Sequence, residues 1–237
     1  MTESYFSHPR PEVRALVPTT ARRVVDVGCG AGAMGAALKA ERPGLEVRGV
    51  EANPEAAARA AGVLDGVSVA PGDAEMPGSW PAPDCVVLAD VLEHMVDPWQ
   101  ALRRWRAHLE HGGCIVVSLP NVAHVSVVRQ LRRGRWDYVD EGLLDRTHLR
   151  FFTRATAVEL LEGAGFEVEV MRRAVPRPTT LGEWLCRPLV VCGLEWESRG
   201  HRVPRWLLRA LDSRSRQILL RAVPSEAVRK APPSPHG

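Results

Sequence analysis

The sequence predicts an α/β fold: a mostly parallel seven-stranded sheet with helices on both faces. Short apolar segments alternate with helix-like segments through the first 175 residues, which is typical of strand–helix–strand units. Asp84–Val91 is an almost continuous apolar run, as expected of a strand that is buried on both faces. Val24–Cys29 is a second such run, and it leads into a glycine-rich turn before the first long helix.

Local signals place each element in order along the chain. Glycines end the first strand, and Asn53 can cap a helix whose first residue is Pro54. The helix that follows the fourth strand ends before Gly112-Gly113. Thr153 can cap the helix that runs to Gly163. The predicted strands are Val24–Cys29, Glu46–Ala52, Val67–Ala70, Asp84–Val91, Cys114–Leu119, Phe166–Arg172 and an antiparallel last strand, Gln217–Val223. The predicted helices are Ala33–Glu41, Pro54–Val63, Pro98–Glu110, Val122–Arg133, Thr153–Gly163 and Val203–Asp212.

The composition is that of one globular domain. Of the 237 residues, 45% are hydrophobic and 25% are charged, which excludes a fibrous or wholly disordered chain. We expect one domain over residues 1–223, with a core at about 20–175, a cap or insertion rich in Trp at about 176–212, and the last strand at about 217–223. Residues 224–237 are expected to be a disordered tail.

The net charge of +3 conceals an asymmetry. Residues 1–170 contain 18 basic and 23 acidic groups, whereas residues 171–237 contain 13 basic and 5 acidic groups. A net positive charge does not by itself indicate a nucleic-acid partner, because binding requires a basic patch on the surface.

The cellular compartment is predicted from sequence signals that the chain lacks. The 5 cysteines include no C-x-x-C pair, no secretory signal is visible, and no apolar run is long enough to span a bilayer. These features predict a soluble, cytoplasmic protein. No metal is expected, because the sequence shows no clustered set of ligands.

The glycine-rich turn over residues 26–32 (DVGCGAG) is the strongest local signal. Glycines there allow a sharp turn and a close approach of a ligand to the backbone. Gly28 and Gly30 also satisfy a loose dinucleotide fingerprint, with Glu51 at about the expected offset of roughly twenty residues. The turn alone therefore leaves the type of nucleotide open.

Later motifs separate these alternatives. Residues 72–75 (GDAE) follow the third predicted strand, residues 90–94 (DVLEH) end the fourth, and Gly112-Gly113 precedes the fifth. In this order the motifs resemble those of class I S-adenosylmethionine-dependent methyltransferases, over roughly residues 20–175. The resemblance implies a Rossmann-like fold and S-adenosylmethionine as cofactor, with S-adenosylhomocysteine as product.

The resemblance also implies the cofactor-binding residues. Asp26 would meet the methionine ammonium, Glu51 the ribose hydroxyls, and Asp73 the adenine amino group. These carboxylates suit the cofactor's donors, since charge-assisted hydrogen bonds are strong. The amide of Ala74 would contact the adenine ring, and the backbone at Asp90 and Val91 the methionine part. The full cofactor set is Asp26, Gly28, Gly30, Gly32, Glu51, Ala52, Asp73, Ala74, Asp90 and Val91.

A second resemblance narrows the subgroup. Residues 118–124 (SLPNVAH), 133–138 (RGRWDY) and 143–153 (LLDRTHLRFFT) look like motifs of bacterial small-molecule methyltransferases close to the ubiquinone-type O-methyltransferases. The implied acceptor is a hydroxyl or amine of a small molecule in secondary-metabolite, sugar or quinone-type biosynthesis. An RNA or peptide acceptor bound by the basic C-terminal quarter, or a cofactor-binding protein without transfer activity, is the alternative.

Histidines are the candidate proton acceptors, because the unperturbed pKa of histidine is ~6.5. We favour His148, with Asp145 as its orienting carboxylate, and His94 as a further catalytic candidate. In the alternative, the roles are only structural: Asp145 forms an ion pair with Arg146, and His148 caps a turn. The remaining substrate-pocket candidates are Tyr5, His124, Trp136, Tyr138 and Arg146. A homodimer is left open.

Overall fold

The computed structural model describes residues 8–174 and 215–225. Its seven strands form one sheet in the order β3-β2-β1-β4-β5-β7-β6. The strands are β1 (Arg23–Val27), β2 (Glu46–Glu51), β3 (Gly66–Val69), β4 (Cys85–Ala89), β5 (Cys114–Pro120), β6 (Phe166–Ala174) and β7 (Gln217–Pro224). The first five strands pair in parallel, and β7 lies antiparallel between β5 and β6. The predicted α/β fold, including the antiparallel last strand, is confirmed.

Six helices accompany the sheet in the described part of the chain. They are α1 (Pro11–Arg14), α2 (Ala33–Glu41), α3 (Pro54–Ala60), α4 (Pro98–His108), α5 (Val125–Arg132) and α6 (Arg154–Gly163), and a short 3-10 turn covers Leu92–His94. The predicted caps are present: the side chain of Asn53 accepts from the amides of Glu55 and Ala56, and Thr153 forms a capping box with Thr156.

One predicted helix was too long at its start. The prediction began it at Val122, but the amide of Val122 donates to the carbonyl of Phe152 at 3.0 Å, and Asn121 forms a β-bridge with the same residue. Residues 122–123 then form a turn, in which the amide of His124 donates to the carbonyl of Asn121 at 3.1 Å, and α5 begins at Val125. A contact with a segment thirty residues later overrides the local helical preference.

The sheet is covered on both faces, as the apolar strands predict. On one face α4 and α6 pack around Trp105, Leu160 and Phe166. On the other face α1, α2 and α3 cover a second cluster that includes Leu38 and Val47. Alternate residues of each central strand serve the two clusters, so the strands have almost no polar face.

The strand order places a cleft at one edge. The chain runs from β1 outward to β2 and β3, then returns to β4 on the other side of β1. Loops that leave the carboxyl ends of β1 and β4 therefore diverge, and such a switch point is the usual ligand site of an open α/β sheet.

Several predictions concern residues outside the described ranges. The cap or insertion at 176–212, the helix at Val203–Asp212, most of the predicted tail and Tyr5 all lie there. In residues 8–174 and 215–225, no helix is both long enough and apolar enough to cross a membrane. The division into a single domain stays a prediction.

Candidate active site

A cavity of about 250 Å³ opens at the carboxyl ends of β1, β2 and β4. It is lined by His8, Arg10, Asp26, Gly28, Cys29, Gly30, Met34, Glu51, Ala89, Asp90, Val91 and His94. Six predicted cofactor residues and one predicted catalytic histidine are therefore brought together. Four predicted cofactor residues are not among the lining residues: Gly32, Ala52, Asp73 and Ala74.

The glycine loop is shaped by two close approaches. Gly28 has φ +72°, and a Cβ there would lie 2.5 Å from Cγ2 of Val91. Gly32 has φ +81° at the start of α2, and its Cβ would lie 2.8 Å from Cγ2 of Val63. Because an L side chain is strained at such φ values and would also collide, only glycine fits these positions.

Glu51 holds this loop from the end of β2. Its Oε2 accepts from the amide of Gly30 at 2.8 Å, and its Oε1 accepts from the amide of Asn53 at 2.8 Å. The carboxylate is almost fully buried but still borders the cavity. Each carboxylate oxygen can accept a second hydrogen bond, so Glu51 can hold the loop and a ligand hydroxyl together.

Asp26 lies beneath the loop at the end of β1. Burial raises the pKa of Asp26 to about 7; the nearby Arg10 guanidinium opposes that rise and Glu51 adds to it. A buried carboxyl group in this state favours a cationic partner, because a positive charge would allow it to ionise.

Asp90, at the exit of β4, has an unusual backbone and many partners. Its φ is +57°, which is uncommon for a residue other than glycine. The carboxylate accepts from Ser118 Oγ at 2.8 Å and from Gln217 Nε2 at 2.7 Å, and it pairs with Arg10. Its amide donates to the carbonyl of Ser118 at 3.1 Å, so the predicted backbone contact to a ligand cannot use that amide without breaking this bond.

The predicted adenine-binding residues lie beyond the cavity. Asp73 is exposed, and its carbonyl accepts from Arg104. The amide of Ala74 donates to the carbonyl of Pro71 at 3.0 Å, so the turn already uses the donor that was assigned to the adenine ring. Ala52 is exposed as well.

Two histidines from distant segments meet beside the cavity. The ring centroids of His94 and His148 lie 4.8 Å apart at an interplanar angle of 68°. Nδ1 of His94 lies 3.2 Å from the carbonyl of Thr147, so this loop is fastened to the exit of β4. Burial, with a further contribution from His94, lowers the pKa of His148 and favours a neutral ring.

Asp145 does not orient His148 as expected. Its Oδ1 accepts from the amide of Thr147 at 2.8 Å and from Thr147 Oγ1 at 2.6 Å, so the carboxylate closes a local turn instead. Partial burial opposes ionisation, but the Thr147 donors outweigh it and lower the pKa of Asp145. The alternative ion pair with Arg146 is also wrong, since Arg146 pairs with Asp140 at 2.8 Å.

Sequence reasoning gave Glu93 no role, although it directly precedes His94. Its side chain is fully buried, and neither carboxylate oxygen has a hydrogen-bond partner in the described part of the chain. Glu93, His94 and His148 each offer one ligand atom, and these atoms lie within 4.8 Å of one another. The sequence argument that no ligand cluster exists is therefore corrected: the fold assembles one from two separate segments.

The predicted substrate residues divide into two groups. Trp136 contacts Phe151 edge-on at a centroid distance of 5.0 Å, Tyr138 lies 6.5 Å from the same ring, and His148 lies 6.1 Å from it. By contrast, His124 is the N-cap of α5, accepting from the amide of Ser126. Arg146 is exposed on the surface. The structure therefore brings Trp136 and Tyr138 to Phe151, whose ring also contacts His148, but it does not bring His124 or Arg146 there.

These residues fit S-adenosylmethionine. A buried carboxyl group at Asp26 suits the ammonium of the cofactor, and Glu51 offers acceptors for hydroxyl groups. The collision of any Cβ at Gly28 shows that the loop is shaped by close packing against Val91. The methyl donor is positively charged, which matches the carboxylates at the carboxyl edge of the sheet.

Comparisons with known proteins identify the family. The model of a family described as a methyltransferase domain matches residues 2–170. A trans-aconitate 2-methyltransferase from Methylobacterium nodulans is 31% identical over 172 residues, which are 70% of this chain and 66% of the relative. A ubiquinone biosynthesis O-methyltransferase from Azorhizobium caulinodans is 30% identical over 199 residues, covering 76% of this chain and 71% of the relative. The chain thus spans about two thirds of the length of these relatives.

Solved structures show the same fold. An S-adenosylmethionine-dependent methyltransferase from Mesorhizobium loti has a TM-score of 0.59 at 21% identity, with 90% of this chain and 95% of that chain covered. A second such enzyme, from Archaeoglobus fulgidus, has a TM-score of 0.58 at 20% identity, with 93% of each chain covered. The chain belongs to the class I S-adenosylmethionine-dependent methyltransferases.

Proposed function

We propose that this methyltransferase methylates a hydroxyl group of a small, planar acceptor, with His148 as the proton acceptor. The observation that carries the proposal is the position of His148. It is packed against His94, which lines the same cavity as the glycine loop. A candidate base thus lies next to the proposed cofactor site.

The cofactor site is proposed along the cavity wall. Asp26 would bind the ammonium of the cofactor, the glycine loop would hold its amino-acid and ribose part, and Glu51 would accept from its hydroxyls. Asp73 is proposed for the adenine end, beyond the cavity. The Ala74 amide is engaged in a turn, so its contribution would require that turn to open.

The chemistry requires placement and removal of a proton. When bound, S-adenosylmethionine supplies an electrophilic methyl carbon, which takes an acceptor lone pair while the carbon–sulfur electron pair stays on sulfur. A hydroxyl oxygen that attacks must lose its proton, and the ring of His148 takes it. The lowered pKa of His148 keeps the ring neutral, so it can act as a base near pH 7.

The aromatic rings beside His148 support a planar acceptor. Phe151 and Trp136 form an edge-to-face pair, and Tyr138 is 54% exposed, so its ring is available for contact. Aromatic side chains bind flat rings through stacked or edge contacts. An O-methyltransferase of secondary-metabolite or quinone-type biosynthesis would use such a wall, in keeping with the name of the ubiquinone-biosynthesis relative.

A three-acceptor panel tests the proposal. Methyl-labelled S-adenosylmethionine is incubated with the protein and 3,4-dihydroxybenzoate, trans-aconitate or phenethylamine. We expect label on the phenolic hydroxyl and its loss in His148→Ala. Methylation of trans-aconitate alone, unaffected by His148→Ala, would contradict the proposal, because a carboxylate oxygen needs no base.

A further inference from the structure

Two buried polar groups near the cavity have hydrogen-bonding capacity that the described residues do not use. Both carboxylate oxygens of Glu93 and Nδ1 of His148 are buried without a hydrogen-bond partner in the described ranges. An unsatisfied buried polar group destabilises the folded state, so such atoms usually have a function or a partner that binds later. Here the two unpartnered groups belong to the same cluster.

Backbone hydrogen bonds hold the segments that carry Glu93 and His148 next to each other. The carbonyl of Glu93 accepts from the amide of Leu149 at 2.8 Å and from the amide of Arg150 at 3.0 Å. These bonds anchor the segment directly after His148 to the exit of β4. A carboxylate oxygen of Glu93 and a ring nitrogen of His148 lie within 4.8 Å of each other, and catalytic hydrogen bonds often tighten only when substrate binds.

We infer that Glu93 is the positioning residue of His148: its carboxylate pairs with the ring and stabilises the imidazolium that forms when His148 takes the acceptor's proton. The inference rests on the proposed function. Asp145 is tied to Thr147 through Oδ1, whereas both carboxylate oxygens of Glu93 are buried without a hydrogen-bond partner in the described residues. Glu93 is thus the buried acid with the larger unused capacity to pair with the ring.

Pairing of the carboxylate with the ring would link the protonation states of the two groups. Burial raises the pKa of Glu93 and lowers the pKa of His148, so each disfavours its charged form when alone. Together, a carboxylate beside an imidazolium satisfies both charges. The other ionisable groups whose charges act on this pair are Arg10, Asp90, His94 and Asp145.

The pairing has a consequence for the pH dependence of turnover. The form able to take a proton contains a carboxylate and a neutral ring. Because the carboxylate stabilises the protonated ring, it raises the pKa of His148. The active form is then lost at a higher pH as the solution is made more acidic. Removing the charge of Glu93 should therefore move the acidic limb of the turnover profile to lower pH, while it weakens the base.

The test uses Glu93→Gln, which keeps the shape and removes the charge, with Glu110→Gln as a control on an exposed acid that pairs with Arg23. Ring resonances of His148 are followed by nitrogen NMR from pH 5 to 9 in protein saturated with S-adenosylhomocysteine. We expect the pKa of His148 to fall by about one unit in Glu93→Gln, a roughly tenfold change in the protonation equilibrium, and not in Glu110→Gln. Equal titration in all three proteins overturns the inference.

A second measurement separates the proton pair from a metal site. Wild-type spectra are recorded after chelation with EDTA and again with added Zn²⁺ or Mn²⁺. We expect no change in the His148 resonances. Metal-dependent shifts that are lost in Glu93→Gln would overturn the inference in favour of a bound cation.

Further readouts keep the inference separate from the proposed function. If Glu93→Gln does not fold, Glu93→Asp is used instead. Its shorter carboxylate lies farther from the ring, so we expect the pKa of His148 and the acidic limb of the turnover profile to move to lower pH. Unchanged titration of His148 in that variant overturns the inference. A wild-type protein that binds S-adenosylhomocysteine but methylates none of the three acceptors would count against the proposed function, while the NMR titration still decides the role of Glu93.

Discussion

The candidate active site has a proposed cofactor side, around the glycine loop, and a proposed acceptor side, around His148, and the two differ in how their polar groups are satisfied. On the cofactor side, Glu51 and Asp90 accept several hydrogen bonds, all from neighbouring protein groups. On the acceptor side, Glu93 and Nδ1 of His148 are buried without partners in the described residues. The carboxylates on the proposed cofactor side are therefore held by neighbouring protein groups, whereas the proposed acceptor side has hydrogen-bonding capacity that the described residues do not use.

The difference reflects what each side must do. Cofactor binding needs a preformed shape, since ordering a loop on binding would reduce affinity. Proton removal needs groups whose charge can change during the reaction, and such groups cannot all be satisfied at rest. The comparison predicts that changes on the two sides affect different measurements.

The largest effect is expected at His148. His148→Ala should lower turnover by about 10²–10⁴-fold, the usual contribution of a general base, and leave the affinity for S-adenosylhomocysteine unchanged. The matched control is His124→Asn, which keeps a helix cap away from the cluster and should retain activity. A weakened cofactor affinity in His148→Ala would remove the distinction between the two sides.

The next largest effect is expected at Gly28. Gly28→Ala should cost about 1–2 kcal/mol of stability from the left-handed backbone, with a further loss from the collision with Val91, and should weaken cofactor binding. Gly44→Ala is the control, because Gly44 has φ +89° but no atom within 4 Å of the added Cβ. Thermal melting and calorimetry separate the two costs. Val91→Ala should partly restore Gly28→Ala; failure to do so would contradict the proposed collision.

A smaller effect is expected from the titration of Asp26. Its pKa is raised to about 7, so the fraction ionised increases as pH rises through that value. An ammonium group should bind the ionised form, and affinity for S-adenosylhomocysteine should therefore be lower at pH 6 than at pH 8. Calorimetry in two buffers should detect proton release at pH 6. Asp26→Asn should bind weakly at both pH values, and an unchanged pH dependence in this variant would exclude Asp26 as the source.

The smallest effect is expected at Asp73. This residue is exposed and lies outside the cavity, so one solvated hydrogen bond to adenine should contribute about 0.5–1.5 kcal/mol. Asp73→Ala should weaken S-adenosylhomocysteine several-fold and leave the melting temperature of the free protein unchanged. An unaltered affinity would confine the cofactor site to the described cavity.

Local sequence signals predicted the elements well where short-range interactions decide. The helix Ala33–Glu41 has the bounds that the sequence predicts, and Asn53 and Thr153 cap helices as expected. Capping connects residues two or three positions apart, so it can be seen in the sequence. The start of α5 was missed because Asn121 forms a bridge with Phe152 and a turn at residues 122–123 follows it before the helix begins.

The candidate site shows the same division. Asp26, Gly28 and Glu51 could be predicted because each lies at, or directly after, the carboxyl end of a strand, and that end must face the cleft. The partner of His148 could not, because loop segments more than fifty residues apart meet only after folding. Asp145 is close to His148 in sequence, yet its carboxylate is bound to Thr147.

The sequence by itself therefore determined the α/β alternation, the helix caps and the glycine turn. These depend on side-chain periodicity and on backbone conformations that few residues can adopt. Only the tertiary structure decided that Glu93 lies beside His148, that Asp90 is held by Ser118 and Gln217, and that Asp26 is buried enough to titrate near pH 7. Proximity and burial arise from the packing of distant segments, which no local pattern encodes.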